Sequence, residues 1–178
     1  MASNLAIDPP QQQLNWCWAA VAQTVAHYFF PLTPLTQCRI ASKYLNQGNS
    51  CCEDGSGDAC DQVADLNAVL DKLNESLHPK MHKTAYARAL TFDEVRAAID
   101  SAAPICVRIE WSGGGGHFVM ITGYSISGTE PRFWLDVSDP FFPDTVLPFD
   151  FFSSQYYSVG HWTHSYVMAV PAPIADQE

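Results

Sequence analysis

The sequence is poor in basic residues and in charge altogether. Only 9 of its 178 residues are Lys or Arg, against 19 Asp and Glu, so the formal net charge at pH 7 is −10. Proteins that bind nucleic acid through its phosphates need a basic surface, so this composition excludes that class. A charged fraction of 16 % beside 47 % hydrophobic residues also excludes disorder and predicts a chain that buries a full core.

Long hydrophobic runs are missing as well. No stretch reaches the about 18 consecutive apolar residues of a membrane helix, so we expect no membrane span. The first ten residues contain neither a basic segment nor an unbroken apolar one, so we expect no signal peptide in them. For a chain of this length the simplest organisation is one domain over residues 1–178, with 1–9 and 172–178 as loose ends.

The period of the hydrophobic pattern changes along the chain. Helical spacing in the first half predicts four helices. They run from Cys17 to about Phe30, from Thr33 and Pro34 onward, over about 61–77, and from a capping box at Thr91 to just before Pro104. From Ile105 the period is two, which predicts strands. They run from Ile105 to Trp111, His117 to Tyr124, Arg132 to Val137 and Thr163 to Val170. The alternation from Ile105 to Trp111 predicts a strand with one face against the core. The sequence therefore predicts an α+β protein, with helices first and then an antiparallel sheet.

A cysteine at the start of the first predicted helix is the best candidate for a nucleophile. Cys17 follows an irregular segment, with Asn15 as a candidate cap. A helix N-terminus offers free N–H groups and a partial positive charge, which favour a thiolate. Six positions upstream, Gln11 is placed to help the Cys17 backbone N–H hold an oxyanion, with Gln12 and Gln13 as substitutes. The alternative is that Cys17 is a small core residue behind a polar leader.

A cysteine nucleophile also needs a base and a group that orients the base. His117 directly follows the glycines 113–116, which let backbone approach a substrate and leave the imidazole edge open. Asp139 precedes Pro140, which favours an extended strand end that can turn the carboxylate toward the neighbouring strand. We therefore prefer Asp139 as the orienting residue and keep Asp136 as the alternative.

Four motifs together resemble the bacterial papain-like cysteine proteases of the avirulence-effector type. They are Asn15-Trp-Cys-Trp-Ala-Ala20, Gly116-His-Phe-Val-Met-Ile-Thr-Gly-Tyr124, Asp139-Pro140 after an aromatic strand, and Gly160-His-Trp-Thr-His-Ser-Tyr166. Their order is also similar to that of the leader-peptide peptidases of bacteriocin exporters. The likeness spans roughly residues 10 to 170, and four motifs in the right order are more specific than any one of them.

The resemblance implies a papain-like fold with the nucleophile at the start of the first helix. It implies Cys17 as nucleophile, His117 as general base and acid, Asp139 as orienting residue and Gln11 in the oxyanion hole. In plant papains the histidine follows the cysteine by about 130 to 150 residues and the third residue is Asn. Here the two residues are closer in sequence and the third is Asp, so we expect a compact version of the fold.

Large rings beside Cys17 predict a narrow substrate-binding subsite. Trp16 and Trp18 flank the cysteine, and Gly115 and Gly116 leave the opposite wall as bare backbone. A narrow subsite favours glycine or another small residue next to the scissile bond. Both lineages that the chain resembles share that preference. The alternative is that Trp16 turns inward and leaves an open subsite.

The remaining cysteines predict a disulfide-bonded segment. Pairing of adjacent cysteines would be strained, so two connectivities remain, 38–51 with 52–60 or 38–52 with 51–60 (Cys38, Cys51, Cys52 and Cys60). Disulfides persist in oxidising compartments, so we expect a secreted or cell-envelope protein. Structural zinc is the less favoured alternative, because no Cys-x-x-Cys pair is present. We expect no metal and no cofactor.

The sequence thus predicts an exported cysteine peptidase, an effector or toxin, that hydrolyses peptide bonds in a protein or peptide substrate. An immunity protein or a host protein is the further partner expected, and neither nucleic acid nor a membrane is. The alternatives are an acyl transferase or deamidase using the same triad, and an inactive peptide-binding module. We expect His161 and His164 in the last strand to pack or form hydrogen bonds rather than take part in chemistry.

Overall fold

A computed structural model describes residues 5–170, which form six helices and six strands. The helices are α1 (Cys17–Phe29), α2 (Gln37–Tyr44), α3 (Ser50–Glu53), α4 (Leu66–Asn74), α5 (Phe92–Asp100) and α6 (Phe149–Gln155). The strands are β1 (His82–Tyr86), β2 (Ile105–Trp111), β3 (Gly116–Ser127), β4 (Arg132–Ser138), β5 (Thr145–Pro148) and β6 (Gly160–Ala169). Among the residues described, no helix is long and apolar enough to cross a membrane.

The strands form one antiparallel sheet in the order β1-β6-β2-β3-β4-β5. The predicted α+β class is confirmed. The predicted succession of helices and then strands is only partly right, because β1 precedes α5 and α6 lies between β5 and β6. The edge strands β1 and β5 were not predicted. Both are short and their residues are exposed or half-buried, so they lack the buried apolar positions that mark a strand.

Helices cover both faces of the sheet, so the prediction that the strand Ile105–Trp111 buries only one face was wrong. On one face α1, α2 and α4 pack over sheet residues that include Cys106, Phe118 and Met120. On the other face α5 and α6 pack over a second cluster that includes Ile105 and Val107. Every residue of α1 from 18 to 26 is buried, and the polar Gln23 and Thr24 among them form hydrogen bonds inside the core. The helix that begins at Cys17 is therefore fixed on every side by the core.

The true helix starts follow from capping side chains. The hydroxyl of Thr36 accepts the Arg39 backbone N–H at 3.4 Å, so α2 begins after Thr36 and not at Thr33 and Pro34 as predicted. The Asp65 carboxylate accepts the Ala68 backbone N–H at 3.2 Å, so α4 begins at Leu66 and is shorter than the predicted 61–77.

The capping box predicted at the start of the fourth helix is confirmed. The Thr91 hydroxyl accepts the Glu94 backbone N–H at 3.3 Å, and the Glu94 carboxylate accepts the Thr91 N–H at 2.7 Å.

The N-terminal segment is fixed to the sheet, which corrects the prediction of a loose end over 1–9. Leu5 and Ile7 are buried, and the Ile7 backbone N–H donates to the Ser138 hydroxyl at 2.9 Å. The rest of that prediction, residues 1–4 and 172–178, lies outside the residues described, and so does part of the segment in which we expect no signal peptide.

Two disulfides cross-link the segment between α2 and α4. Cys38 pairs with Cys52 and Cys51 pairs with Cys60, which is the second of the two predicted connectivities. The first bond ties α2 to α3, and the second ties α3 to the loop that leads into α4. This segment contains little regular structure, so the cross-links limit the freedom it would otherwise have.

Reduction of both disulfides is expected to lower the free energy of unfolding by about 2 to 4 kcal/mol for each bond, because the unfolded chain gains conformational entropy. Urea unfolding with and without a phosphine reductant measures the effect. The double variants Cys38→Ala/Cys52→Ala and Cys51→Ala/Cys60→Ala assign it to each bond. Equal unfolding midpoints in the oxidised and reduced protein would contradict the expectation.

Candidate active site

Cys17 lies at the N-terminus of α1, where the helix leaves its first N–H groups unpaired. The preceding residue, Trp16, occupies the N-cap position and, among the residues described, no side chain caps the helix. The free N–H groups of the first turn can stabilise a negative charge. The Cys17 thiol is half-buried and makes no disulfide. The local geometry therefore suits a thiolate or an oxyanion.

The segment before Cys17 is held by the disulfide-bonded loop. The Asn15 backbone N–H donates to the Asp61 carboxylate at 2.8 Å, and the Asn15 amide donates to the Asp61 carbonyl at 3.0 Å. Asn15 therefore fixes the loop and does not cap α1, which corrects the prediction. The Trp18 indole donates to the Gln62 carbonyl at 2.9 Å, so the loop is bound on both sides of the cysteine.

Trp16 turns inward, which corrects its assignment as a substrate-binding residue. Only 1 % of its surface is exposed, and its indole N–H donates to the Cys60 carbonyl at 2.8 Å. Its ring packs so closely on Gly55 that a Cβ there would lie 2.8 Å from the indole. The alternative expectation, that Trp16 turns inward, is therefore the correct one, and its partners Gly55 and Cys60 come from the disulfide-bonded segment. Of the two rings predicted to narrow the subsite, only that of Trp18 therefore lines the cleft.

His117, the second residue of β3, connects Cys17 with Asp139. The His117 Nε2 atom lies 2.8 Å from the Asp139 Oδ1 atom. Cys17 lines the same cleft as His117 and lies close enough to help raise the pKa of the imidazole. The ring is 7 % exposed and stacks on Trp111 with centroids 5.9 Å apart. The structure thus brings three predicted residues together at one imidazole.

Both oxygens of the Asp139 carboxylate accept hydrogen bonds. Its Oδ1 accepts the backbone N–H groups of Phe141 at 2.7 Å and Phe142 at 2.9 Å in addition to the His117 contact. Its Oδ2 accepts the Tyr156 hydroxyl at 2.6 Å. These contacts fix the carboxylate against the imidazole. Asp136, the alternative, lies beside Gly123, so it is Asp139 that meets His117.

Two residues that position Asp139 were missed by sequence reasoning. Tyr156 is fully buried at the end of α6, and its hydroxyl reaches Asp139 from 17 residues away. The Asp144 carboxylate accepts the Ser138 hydroxyl at 2.8 Å and the Asp139 backbone N–H at 3.3 Å. No local sequence pattern identifies either residue. Both contacts form only because α6 and the loop after β4 return to Asp139 in the folded chain.

At this site hydrogen bonds and nearby charges shift the pKa values of His117 and Asp139 in the direction opposite to burial, and they have the larger effect. Burial alone would lower the pKa of His117, but the hydrogen bonds to Asp139 and Cys17 raise it to about 9. Burial would raise the pKa of Asp139, but the hydrogen bond and positive charge of His117, with the Tyr156 and Phe142 donors, bring it below its usual value. Both directions favour an imidazolium paired with a carboxylate at neutral pH.

The free energy of unfolding is expected to fall as the pH rises from about 6.5 toward and beyond 9. His117 titrates at about 6.5 when unfolded and at about 9 when folded, so between these values only the folded protein keeps the proton. The stabilisation is complete below the first value and is lost as the pH passes the second. Urea unfolding of wild type and His117→Gln across this range measures the difference. Parallel curves would contradict the raised pKa.

A cleft of about 300 Å³ opens beside Cys17 and His117. Its other lining residues come from the helical side (Leu14, Asn15, Trp18, Val63 and Ala64) and from the sheet side (Trp111, Gly116, Phe141 and Phe142). Leu14, Val63 and Phe141 are large apolar residues and are more than half exposed. Such a rim is typical of a surface that binds an extended ligand. The cleft thus has an apolar entrance and the polar Cys17–His117 pair inside.

The predicted cleft residues are only partly at the cleft. Trp18 and Gly116 line it, whereas Gly115 does not and lies in the turn before β3 with φ of 84°. Val63, Phe141 and Phe142 line the cleft without having been predicted there. The predicted helix over 61–77 includes Val63. Because α4 starts only after Asp65, Val63 instead lies in the loop that lines the cleft.

The side chain of Gln11 differs from its predicted orientation. Its Nε2 donates to the backbone carbonyls of Gln13 at 2.9 Å and Leu14 at 2.6 Å, and it does not line the cleft. Its Oε1 is buried without a partner among residues 5–170. The backbone N–H of Gln11 donates to the Pro140 carbonyl at 2.9 Å, which ties this segment to the loop of Asp139. In this arrangement Gln11 offers no free N–H to the cleft.

Iodoacetamide is expected to label Cys17 at least about 100-fold faster than Cys106 in the folded, oxidised protein at neutral pH. Cys106 is fully buried, and burial raises the pKa of its thiol to about 12. Cys17 is half-buried beside His117 and at a helix N-terminus. Peptide mapping by mass spectrometry after a short reaction measures both rates. Modification of Cys106 before Cys17 would contradict the expectation.

The fold and the site define a class of protein. An antiparallel sheet packed on a buried helix that begins with a cysteine, with a histidine of the sheet facing that cysteine, is consistent with a papain-like peptidase. The chain belongs to the Peptidase_C39 like family, whose model matches residues 5–164, and this places it among the cysteine peptidases. A comparison with curated proteins found no match.

Proposed function

We propose that the protein is a papain-like cysteine protease of the avirulence-effector type, in which Cys17, His117 and Asp139 act as a triad. The observation that carries the proposal is the His117 imidazole, which lies 2.8 Å from the Asp139 carboxylate and shares an open cleft with Cys17. A nucleophile, a base and an orienting group within hydrogen-bond reach are what acyl transfer requires.

The proposed reaction begins with the proton of the Cys17 thiol on His117. The thiolate attacks the carbonyl carbon of the scissile bond, and the carbonyl oxygen becomes an oxyanion. The backbone N–H of Cys17, unpaired at the start of α1, donates to that oxyanion. Since the Gln11 amide donates to two carbonyls instead, the proposal rests on the helix N–H groups.

The second half of the reaction returns the protein to its starting state. The C–N bond breaks as His117 gives its proton to the leaving amine, which leaves an acyl thioester on Cys17. His117 then takes a proton from water, and the resulting hydroxide attacks the thioester carbonyl. The thioester C–S bond breaks, so that the acid product leaves and the thiolate is restored. Asp139 keeps the ring oriented and stabilises its charge throughout.

Export of the protein is part of the proposal. The disulfides Cys38–Cys52 and Cys51–Cys60 persist in an oxidising compartment, which supports a secreted or cell-envelope protein. A protein or peptide is the proposed substrate. An exported effector or toxin of this type would also meet a host protein or an immunity protein as its partner.

Mass spectrometry of a proteome incubated with the oxidised protein tests the proposed function. Wild type is expected to create new peptide N-termini that Cys17→Ala does not create, while Cys106→Ala, the control at the other free thiol, behaves as wild type. Mass shifts of side chains without cleavage would replace hydrolysis by deamidation or acyl transfer. Identical peptides in all samples would contradict an enzyme and favour the peptide-binding module.

A further inference from the structure

A guanidinium group lies beside Gly116, at the edge of the cleft rather than among its lining residues. Arg108 of β2 extends across Gly116, which lines the cleft and precedes His117. A Cβ on Gly116 would lie 3.3 Å from both Nε and Nη2 of Arg108, and 3.1 Å from the Ile109 carbonyl. Because Gly116 has no side chain, this edge of the guanidinium is not covered by it. A ligand that crosses Gly116 therefore meets Arg108.

One end of the guanidinium is anchored and the other end is free. The Nη1 atom of Arg108 donates to the Glu110 carboxylate at 2.7 Å and to the Thr163 hydroxyl at 2.9 Å. Nε and Nη2, the two atoms beside Gly116, have no hydrogen-bond partner within residues 5–170. The Arg108 side chain keeps 27 % of its surface exposed. The edge formed by Nε–H and Nη2–H is the one that binds a carboxylate with two parallel hydrogen bonds.

The acid that pairs with Arg108 leaves part of the guanidinium able to bind a second carboxylate. Glu110 is the acid that pairs with it, and the hydrogen bond from Arg108 lowers the pKa of Glu110, with smaller contributions from His161 and His164. Glu110 occupies Nη1 only, and its side chain is 46 % exposed to solvent. Anchoring by Glu110 and Thr163 also fixes the guanidinium before a ligand arrives, which reduces the entropy lost on binding.

We propose that Arg108 binds a side-chain carboxylate of the substrate, so that the protease prefers peptides with Asp or Glu close to the scissile bond. This inference rests on the proposed function, since it names the substrate class of the same cleft. The net charge of −10 repels acidic peptides at long range, so a preference for them must come from a local contact. Arg108 is a specificity residue in this proposal and takes no part in bond breaking.

Matched peptides test the proposal. A peptide cleaved from a proteome-derived library is resynthesised with each nearby Asp or Glu replaced by Asn or Gln, which keeps shape and removes charge. At one position the acidic peptide is expected to have a kcat/KM at least about 10-fold above that of its amide counterpart. In Arg108→Gln this ratio is expected to fall to about one.

Two further variants show whether the effect of Arg108→Gln comes from the lost carboxylate contact or only from the lost positive charge. Arg132→Gln removes the same charge from an exposed position at the start of β4 and is expected to keep the full ratio. Arg108→Lys keeps the charge but not the two parallel donors, and an intermediate ratio is expected. No acid preference in wild type, or a preference that survives in Arg108→Gln, would overturn the proposal.

Binding without cleavage distinguishes failure of this inference from failure of the proposed function. The same peptide library is passed over immobilised Cys17→Ala and Cys17→Ala/Arg108→Gln. Acidic peptides retained only by the first protein support the carboxylate site even where wild type cleaves nothing, and the proposed function then falls alone. Cleavage by wild type without retention or preference of acidic peptides overturns the carboxylate site and leaves the protease intact.

Discussion

Replacement of His117 by glutamine is expected to lower kcat/KM for peptide cleavage by about 1,000-fold or more. In the proposed mechanism His117 takes the proton of the Cys17 thiol and gives it to the leaving amine. Glutamine fills much of the same space but cannot exchange a proton near neutral pH. The peptide identified by proteome cleavage serves as substrate, with rates followed by chromatography.

His82→Gln is the matched control for that variant. His82 is exposed on β1, an edge strand of the sheet, and is expected to keep the wild-type rate. Thermal unfolding of both variants shows whether either has lost its fold. A folded His117→Gln that cleaves within about 10-fold of wild type would contradict His117 as the acid and base.

The second large effect is expected at Asp139, where alanine and asparagine should differ. Asp139→Ala removes the acceptor for His117, for two backbone N–H groups and for Tyr156, so we expect kcat/KM to fall by about 100- to 1,000-fold. In Asp139→Asn the amide oxygen can keep the three N–H contacts, and the Tyr156 hydroxyl can turn to accept from the amide. We therefore expect a smaller loss than in Asp139→Ala, since Asn is the orienting residue in the Cys-His-Asn sites of papain-like proteases.

The pH profile identifies how Asp139 acts. Asparagine keeps the contacts but removes the negative charge that helps raise the pKa of His117 to about 9. The fall in activity at high pH is therefore expected to begin at a lower pH in Asp139→Asn than in wild type. Asp136→Asn, on the strand that leads to Asp139 but beside Gly123, serves as the control and should leave the profile unchanged. An unshifted profile in Asp139→Asn, or a larger loss in Asp136→Asn, would contradict the assignment.

Local sequence signals located the ends of several elements and, with them, three residues of the site. Cys17 was predicted from the change of an irregular segment into a helix, His117 from the glycines before a strand, and Asp139 from the proline after it. In each case the backbone of a few neighbouring residues determines the position. The structure brings the three together because α1, β3 and the end of β4 pack side by side.

The surroundings of these residues could not be predicted in the same way. Trp16 lies beside Cys17 in sequence, yet the Cys60 carbonyl draws its indole inward. Tyr156 reaches Asp139 only because α6 packs against β4 and β6. Such contacts depend on pairs of residues that are far apart in the chain, and a single sequence contains no pattern that pairs them. The cleft walls and the contacts behind Asp139 were therefore the parts that sequence reasoning missed.

The proposed mechanism requires Cys17 to be reduced while neighbouring cysteines stay oxidised. Cys17 has to remain a free thiol, whereas the loop that anchors Asn15 and Trp18 is held by the Cys51–Cys60 bond. A strong thiol reductant, which is the usual means of protecting a cysteine nucleophile during an assay, would also open the bonds that steady the segment around it. Removing oxidants and metal traces from the buffer protects Cys17 without that cost, so the choice of buffer itself decides which form of the protein is measured.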